Sequence, residues 1–357
     1  MTKFNYGIVA ALLVFIPFIK SNVHCQNISE KKFEKLGKLL EKKFSNDFDF
    51  SVLIEIDSIR VYTQNFGFLD KQKTKLVNGN TLYNVASITK GITAVGIMKL
   101  MDQNKINLQD RLDNFFKNIP EDKAAITIHM LLSHQSGFDH NYKCEGISSS
   151  TEALNILFND NLGARPGERF TYTGQNYQLL ALVIEKVTGR RYEDFIRKEI
   201  LNPLKMTETY FWDEVNKDNN LIRTNRKMLK MFGKRNWGWI GAAGIFSTTN
   251  DLSKFWNGIY RASFLSEESR ASLFRSYYET SSGTQIGYGF YKRNETKWVT
   301  PEMYTRGTES WGHNSVIRYF PEKNTLIVVS TNSGEYGKNR MTGNKEVSDF
   351  IANYLFK

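Results

Sequence analysis

Apolar residues recur at helical spacing through residues 29–44, where Phe33, Leu36, Leu39, Leu40 and Phe44 are separated by lysines and glutamates. Such a stripe predicts an amphipathic helix lying on a sheet. The period then changes to two: residues 50–56 and 59–66 flank Asp57-Ser58, the pattern of a β-hairpin. Helical spacing returns over residues 87–104 through Ile92, Val95, Ile97, Leu100 and Met101. Gly91 and Gly96 interrupt that pattern, each costing about 1 kcal/mol against alanine. Further helical patterns occupy 126–132, 150–159, 177–188 and 192–200, and strand-like runs reappear at 244–247, 286–292, 315–320 and 325–331. Residues 347–356 read as a closing helix.

Strands at both ends with helices between them predict an α+β fold, an antiparallel sheet flanked by helices with an inserted, mostly helical domain. The expected boundaries are 26–86 and 237–357 for the sheet domain and 87–236 for the insertion, with a catalytic cleft between them. The 357 residues suffice for a large core, and no repeat, low-complexity tract or Pro- or Gly/Ser-rich linker divides them.

Residues 1–25 differ from the rest. Lys3 precedes an apolar run from Tyr6 to Ile19, after which the chain turns polar. Fourteen residues are short for a membrane span and suit a signal peptide cleaved near Cys25-Gln26. His24 and Asn22 lack the small and aliphatic residues that a lipidated Cys25 needs. The expectation is therefore an exported protein, periplasmic or secreted.

The chain carries 48 Lys and Arg against 37 Asp and Glu, a formal charge of +11. Its densest basic run, from Arg223 through Arg226, Lys227, Lys230 and Lys234 to Arg235, comes with no nucleic-acid-binding motif and reads as a solvated helix face. No nucleic acid is expected as a partner; the charge allows contact with a cell-wall or envelope surface. Loss of Cys25 with the signal leaves Cys144 alone, so no internal disulfide is expected. His129, His134 and His140 fall in no ligating register, and neither a metal nor another cofactor is expected.

Ser87-Ile88-Thr89-Lys90 places a hydroxyl and an amine three apart at the start of a predicted helix, hence on one face. Serine is a weak nucleophile until a neighbouring base takes its proton, and a lysine can serve as that base. The N–H groups of the helix start would favour an oxyanion. Ser29-Glu30-Lys31-Lys32 has the same spacing in a lysine-rich helix, so the tetrapeptide alone is a weak signal. There is no Gly-x-Ser-x-Gly elbow and no Gly-rich phosphate loop.

The context of Ser87 is more specific. Residues 82–90 (Leu-Tyr-Asn-Val-Ala-Ser-Ile-Thr-Lys), 128–138, 166–172, 244–252 and Trp311-Gly312-His313-Asn314-Ser315 form an ordered series. The series resembles the serine β-lactamase and penicillin-binding-protein superfamily, in its class C β-lactamase-like branch with esterases and D-amino-acid peptidases. The resemblance implies Ser87 as nucleophile, Lys90 as its activator and Tyr172 as general base or acid. It implies His313 where relatives carry Lys or His, and an oxyanion hole from the N–H groups of Ser87 and Val316. Asn176, Asn314 and Ser315 would touch substrate.

Three departures from that pattern matter. Gly174 stands where the family's Tyr-x-Asn element has its asparagine, Ser315 where a glycine lets substrate lie against the strand, and Ala243 in a glycine-rich stretch. They leave the nucleophile intact and weaken the case for amide and β-lactam turnover. The expected function is a serine hydrolase for small-molecule or peptide substrates, namely esters, D-amino-acid peptides or β-lactams, with an esterase or narrow peptidase favoured. The alternative is a catalytically silent protein that binds cell-wall peptide or an acyl ligand.

Overall fold

The computed structural model describes residues 18–216, 220–223, 233–261, 263–308, 312–336 and 342–357. Most of the expected signal segment, Arg226, Lys227 and Lys230 of the basic run, and Trp311 lie outside the described residues.

Helix α1 (Phe18–Phe44) is followed by strands β1 (Phe50–Ile56) and β2 (Ile59–Phe66). Asp57 and Ser58 between them both have positive φ, 52° and 67°, the backbone of a two-residue hairpin turn whose twist matches its strands. Eight strands form the main sheet. To β1 and β2 it adds β6 (Tyr278–Glu279), β7 (Gln285–Ile286), β8 (Tyr291–Arg293), β9 (Glu302–Thr308), β10 (Asn314–Phe320) and β11 (Thr325–Thr331), in the order β2-β1-β11-β10-β9-β8-β7-β6. Every pairing in it is antiparallel. A small sheet joins β3 (Tyr83–Asn84) and β4 (Tyr210–Phe211) to the two sides of β5 (Ile245–Ser247).

Period-two alternation sends the two faces of the main sheet to different partners. Val52, Ile54, Val316 and Val329 pack with Phe33, Leu36 and Leu40 of α1 and with Val347 and Ile351 of the closing helix Gly343–Phe356. Leu53, Ile317, Leu326 and Val328 on the opposite face join Leu252, Phe255 and Trp256 of the Thr249–Tyr260 helix and Ile88, Ile92 and Val95 of α2 (Ile88–Asp102). The apolar cluster on this second side continues without a break into the helices between residues 87 and 236.

Two strand expectations change. Residues 286–292 are two short strands, β7 and β8, because the chain turns at Gly289 (φ 78°), where a β-carbon would lie 2.8 Å from the Gly91 Cα. That close approach gives the helix-weakening Gly91 its use. Strand β9 had no counterpart in the apolar pattern, because Glu302 opens it. Glu302 is buried and receives hydrogen bonds from Arg318 Nε at 2.9 Å and Arg293 Nη1 at 3.1 Å. At its two ends the basic run differs from a solvated face: Arg235 is ion-paired with Glu185 and Glu193, and Arg223 with Asp49.

Candidate active site

Strand β3 delivers the chain into α2 through a strained turn. Ala86 has φ +46°, a conformation that costs a residue with a β-carbon about 1–2 kcal/mol. Asn84 holds it: its Oδ1 accepts the Ala86 N–H at 2.9 Å, and its Nδ2 donates to the Ala243 carbonyl at 3.0 Å. The Asn84 N–H in turn donates to His313 Nδ1 at 2.8 Å. The turn leaves Ser87 at the N-cap of α2, partly exposed.

One helical turn on, Lys90 is buried with its amine aimed back. Nζ donates to Ser87 Oγ at 3.2 Å and to the Ala242 carbonyl at 3.0 Å, and lies 5.0 Å from the centre of the Tyr172 ring. Tyr172 is 38% exposed, and its other neighbour is the ring of His134, 4.6 Å away. His134 is buried with positive φ, accepts the Thr173 N–H at Nδ1, and so fixes the segment that presents Tyr172. Burial, helped by the charge of Lys90, holds the His134 pKa well below the usual imidazole range.

Ser87, Lys90, Tyr172 and Gly174 line one cleft of about 540 Å³. Its walls are rich in aromatic rings, among them Tyr142, Phe170, Trp239 and Tyr291; among the described residues no carboxylate lines it, whereas the basic side chains of Lys90 and Arg306 do. An activated hydroxyl beside an amine and a phenol, in a cleft of positive charge, is equipped for attack on a carbonyl.

The structure brings Ser87, Lys90 and Tyr172 together and does not bring in the remaining expected residues. His313 is fully buried, with Nδ1 occupied by Asn84 and Nε2 3.3 Å from the Arg223 carbonyl; burial pushes its pKa down to about 4. It positions the nucleophile turn from behind. Asn176 is buried against Ser136 and His134. Asn314 Nδ2 donates to Ser333, and Ser315 Oγ donates to Ser330 at 2.9 Å, both in the interior. Val316 sits on β10, paired on one side with Arg306 and on the other with Val329, so its N–H belongs to the sheet.

Strand β9 takes the place expected of residues 313–316. β8 covers only Glu302–Tyr304, leaving the edge beyond Tyr304 without a neighbouring strand. A β-carbon at Gly307 would lie 2.6 Å from the Ser87 nitrogen and closer still to the Val85 carbonyl oxygen. The strand therefore runs directly against the nucleophile turn, and Arg306 and Thr308 on either side of Gly307 line the cleft. A glycine inside a strand marks such a close backbone approach and was the available signal. Asn84, two residues from the turn it holds, carried none beyond its turn-forming side chain.

A family model described as Beta-lactamase matches residues 51–349. Penicillin-binding protein 4* of Bacillus subtilis (strain 168) is 27% identical over 342 residues, covering 84% of this chain and 70% of that protein. Protein flp of Staphylococcus aureus (strain MRSA252) is 32% identical over 179 residues; the match takes in 48% of this chain and only 36% of that protein. Among solved structures, an octameric penicillin-binding protein homologue from Pyrococcus abyssi aligns with a TM-score of 0.73 at 26% identity, over 90% of this chain and 77% of its own. D-amino acid amidase from Ochrobactrum anthropi SV3 shares the fold with a TM-score of 0.76 at 19% identity, over 92% of this chain and 98% of its own.

Proposed function

The chain belongs to the Beta-lactamase family, and from that premise we propose that it is an exported serine hydrolase that works through an acyl-enzyme on Ser87 and favours esters or a narrow set of D-amino-acid peptides over β-lactams. The observation that carries the reading is the 3.2 Å approach of Lys90 Nζ to Ser87 Oγ on the wall of the cleft.

In the proposed reaction, Ser87 Oγ bonds to the substrate carbonyl carbon while its proton passes to the Lys90–Tyr172 pair, which acts as the base. The Ser87 N–H and the β9 edge at Gly307 and Thr308 face the oxyanion. The carbon–oxygen or carbon–nitrogen bond to the leaving group breaks as the Tyr172 hydroxyl relays the proton to it. Water then takes the acyl group by the same route in reverse. The preference for esters rests on Gly174, which lines the cleft without the side-chain amide that would hold an amide substrate. Export rests on the character of residues 1–25.

Gly174 also favours a second reading, a binding protein that captures an acyl ligand without turning it over. One experiment separates the two. A fluorophosphonate probe should label the protein at Ser87, and Ser87→Ala should lose both the label and p-nitrophenyl ester hydrolysis. Absence of label on folded wild-type protein would establish the silent reading.

A further inference from the structure

A second cleft, of about 300 Å³, lies between the Glu267–Phe274 helix and the turn from β7 to β8, and shares no lining residue with the catalytic one. Glu268, Ser272 and Arg275 line it at i, i+4 and i+7, a single stripe along one side of that helix. Glu268 and Arg275 are exposed, and among the described residues neither their charged ends nor the Ser272 hydroxyl has a hydrogen-bond or ion-pair partner. Opposite charges three or four residues apart on a helix neutralise each other, whereas seven residues separate these two by about 10 Å along the axis. The rest of the cleft wall is aromatic. Tyr277 and Tyr288 stack with ring centres 4.2 Å apart, and His129 stands edge-on to Tyr277 with its Nδ1 2.6 Å from the Tyr288 hydroxyl.

We propose that this cleft binds a short zwitterionic peptide, with its ammonium group at Glu268, its carboxylate at Arg275, its amide carbonyl at the Ser272 hydroxyl and a side chain against the tyrosine rings. The order of groups along the helix stripe, acceptor, donor and cation, is the complement of the order along a dipeptide. The length follows from the helix as well. An extended dipeptide is about 7 Å long, and a charge-assisted hydrogen bond of about 2.8 Å at each end lets it span the stripe. A free amino acid is roughly half as long and meets one charge at a time. The site stands apart from Ser87, and the proposal holds whether or not that serine turns over a substrate.

The probe is L-alanyl-L-alanine, titrated at low salt into Ser87→Ala protein so that none is consumed, with the histidine ring signals followed by NMR. His129 should shift, and His140, which lines the catalytic cleft, should not. Glu268→Gln and Arg275→Gln replace exposed side chains and leave the fold intact. Each should weaken binding about fivefold, the upper range for an exposed ion pair. The N-acetylated dipeptide lacks the ammonium group, so it should bind more weakly and be indifferent to Glu268→Gln. The dipeptide amide lacks the carboxylate and should be indifferent to Arg275→Gln. Free L-alanine should bind no better than either blocked peptide. No shift at His129 up to the solubility of the peptide, or an affinity unchanged in either variant, overturns the site. A shift at His140 alone also overturns it, by placing the peptide in the catalytic cleft.

Discussion

The His313 imidazole accepts the backbone N–H of Asn84 at 2.8 Å, and through the Asn84 side chain that bond reaches Ala86, the strained residue immediately before Ser87. A buried histidine used in this way orients the nucleophile without exchanging a proton with substrate. Removing it in His313→Ala leaves the Asn84 N–H unpaired, a cost of about 1–3 kcal/mol, and should lower kcat at least tenfold with KM little changed. His313→Gln supplies an acceptor for Asn84 and a donor for the Arg223 carbonyl, and should restore most of the activity. A histidine that carried a proton in the reaction would not be rescued by glutamine, so steady-state kinetics of the two variants decide between the roles.

The same burial ties stability to pH. The His313 pKa is about 4 in the folded protein against an ordinary 6.5, and that of His134 is lowered too. Between these values the unfolded chain binds protons that the folded protein excludes. The stabilisation is therefore complete above pH 6.5 and is lost as pH falls towards 4. For His313 it amounts to about 3 kcal/mol. Urea midpoints should drop steadily from pH 7 to pH 4.5, and His313→Gln should flatten the slope. A wild-type midpoint constant across that range would show that His313 is not held neutral.

The parts of this protein that were legible in its sequence are those that local pattern specifies. The hairpin around Asp57-Ser58, the helix beginning after Ser87 and the pairing of Ser87 with Lys90 each depend on residues within a turn of one another. The third wall of the cleft depends on which strand of the sheet meets the nucleophile turn, and that is a tertiary fact. Trp311-Gly312-His313 looked like this wall because the stretch resembles the family's third catalytic element, where relatives carry Lys or His. The strand that makes the contact is β9, whose buried Glu302 and exposed Arg306 obscure its alternation. Asn176 and Ser315 misled for a related reason: their polar groups serve His134, Ser136 and Ser330 inside the core.

That reassignment distinguishes two glycine positions. Gly307→Ala forces a methyl group against the Ser87 nitrogen and the Val85 carbonyl, both backbone atoms that cannot move without shifting the nucleophile. Ester hydrolysis should fall by a hundredfold or more. Ser315→Gly removes a hydroxyl that among the described residues bonds Ser330, should cost about 1 kcal/mol of stability, and should leave the ratio of ester to amide turnover where it was. Activity assays alongside urea unfolding of both variants test this. A changed substrate ratio in Ser315→Gly would return that residue to the substrate's side of the sheet.

Arg306 is placed where it can select the charge of what enters. It is exposed on β9, lines the cleft, and its guanidinium makes no hydrogen bond or ion pair among the described residues, none of which brings a carboxylate to the cleft to balance it. A substrate carboxylate near the guanidinium gains on the order of 1–3 kcal/mol from a charge-assisted hydrogen bond. The mono-p-nitrophenyl ester of succinic acid should therefore be preferred over p-nitrophenyl butyrate by about tenfold in kcat/KM at low salt. Because the site is open to solvent, that preference should shrink as ionic strength rises and the Debye length falls from about 30 Å at 0.01 M to about 3 Å at 1 M. Arg306→Gln should reduce the preference to near one, and Arg306→Glu should reverse it by placing like charges in contact. Dependence on salt separates this effect from simple fit, since a neutral hydrogen bond of the same geometry would be nearly insensitive to it. Equal turnover of the two esters at low salt, unaltered in Arg306→Glu, would mean that the guanidinium points past the substrate and that the positive cleft selects nothing.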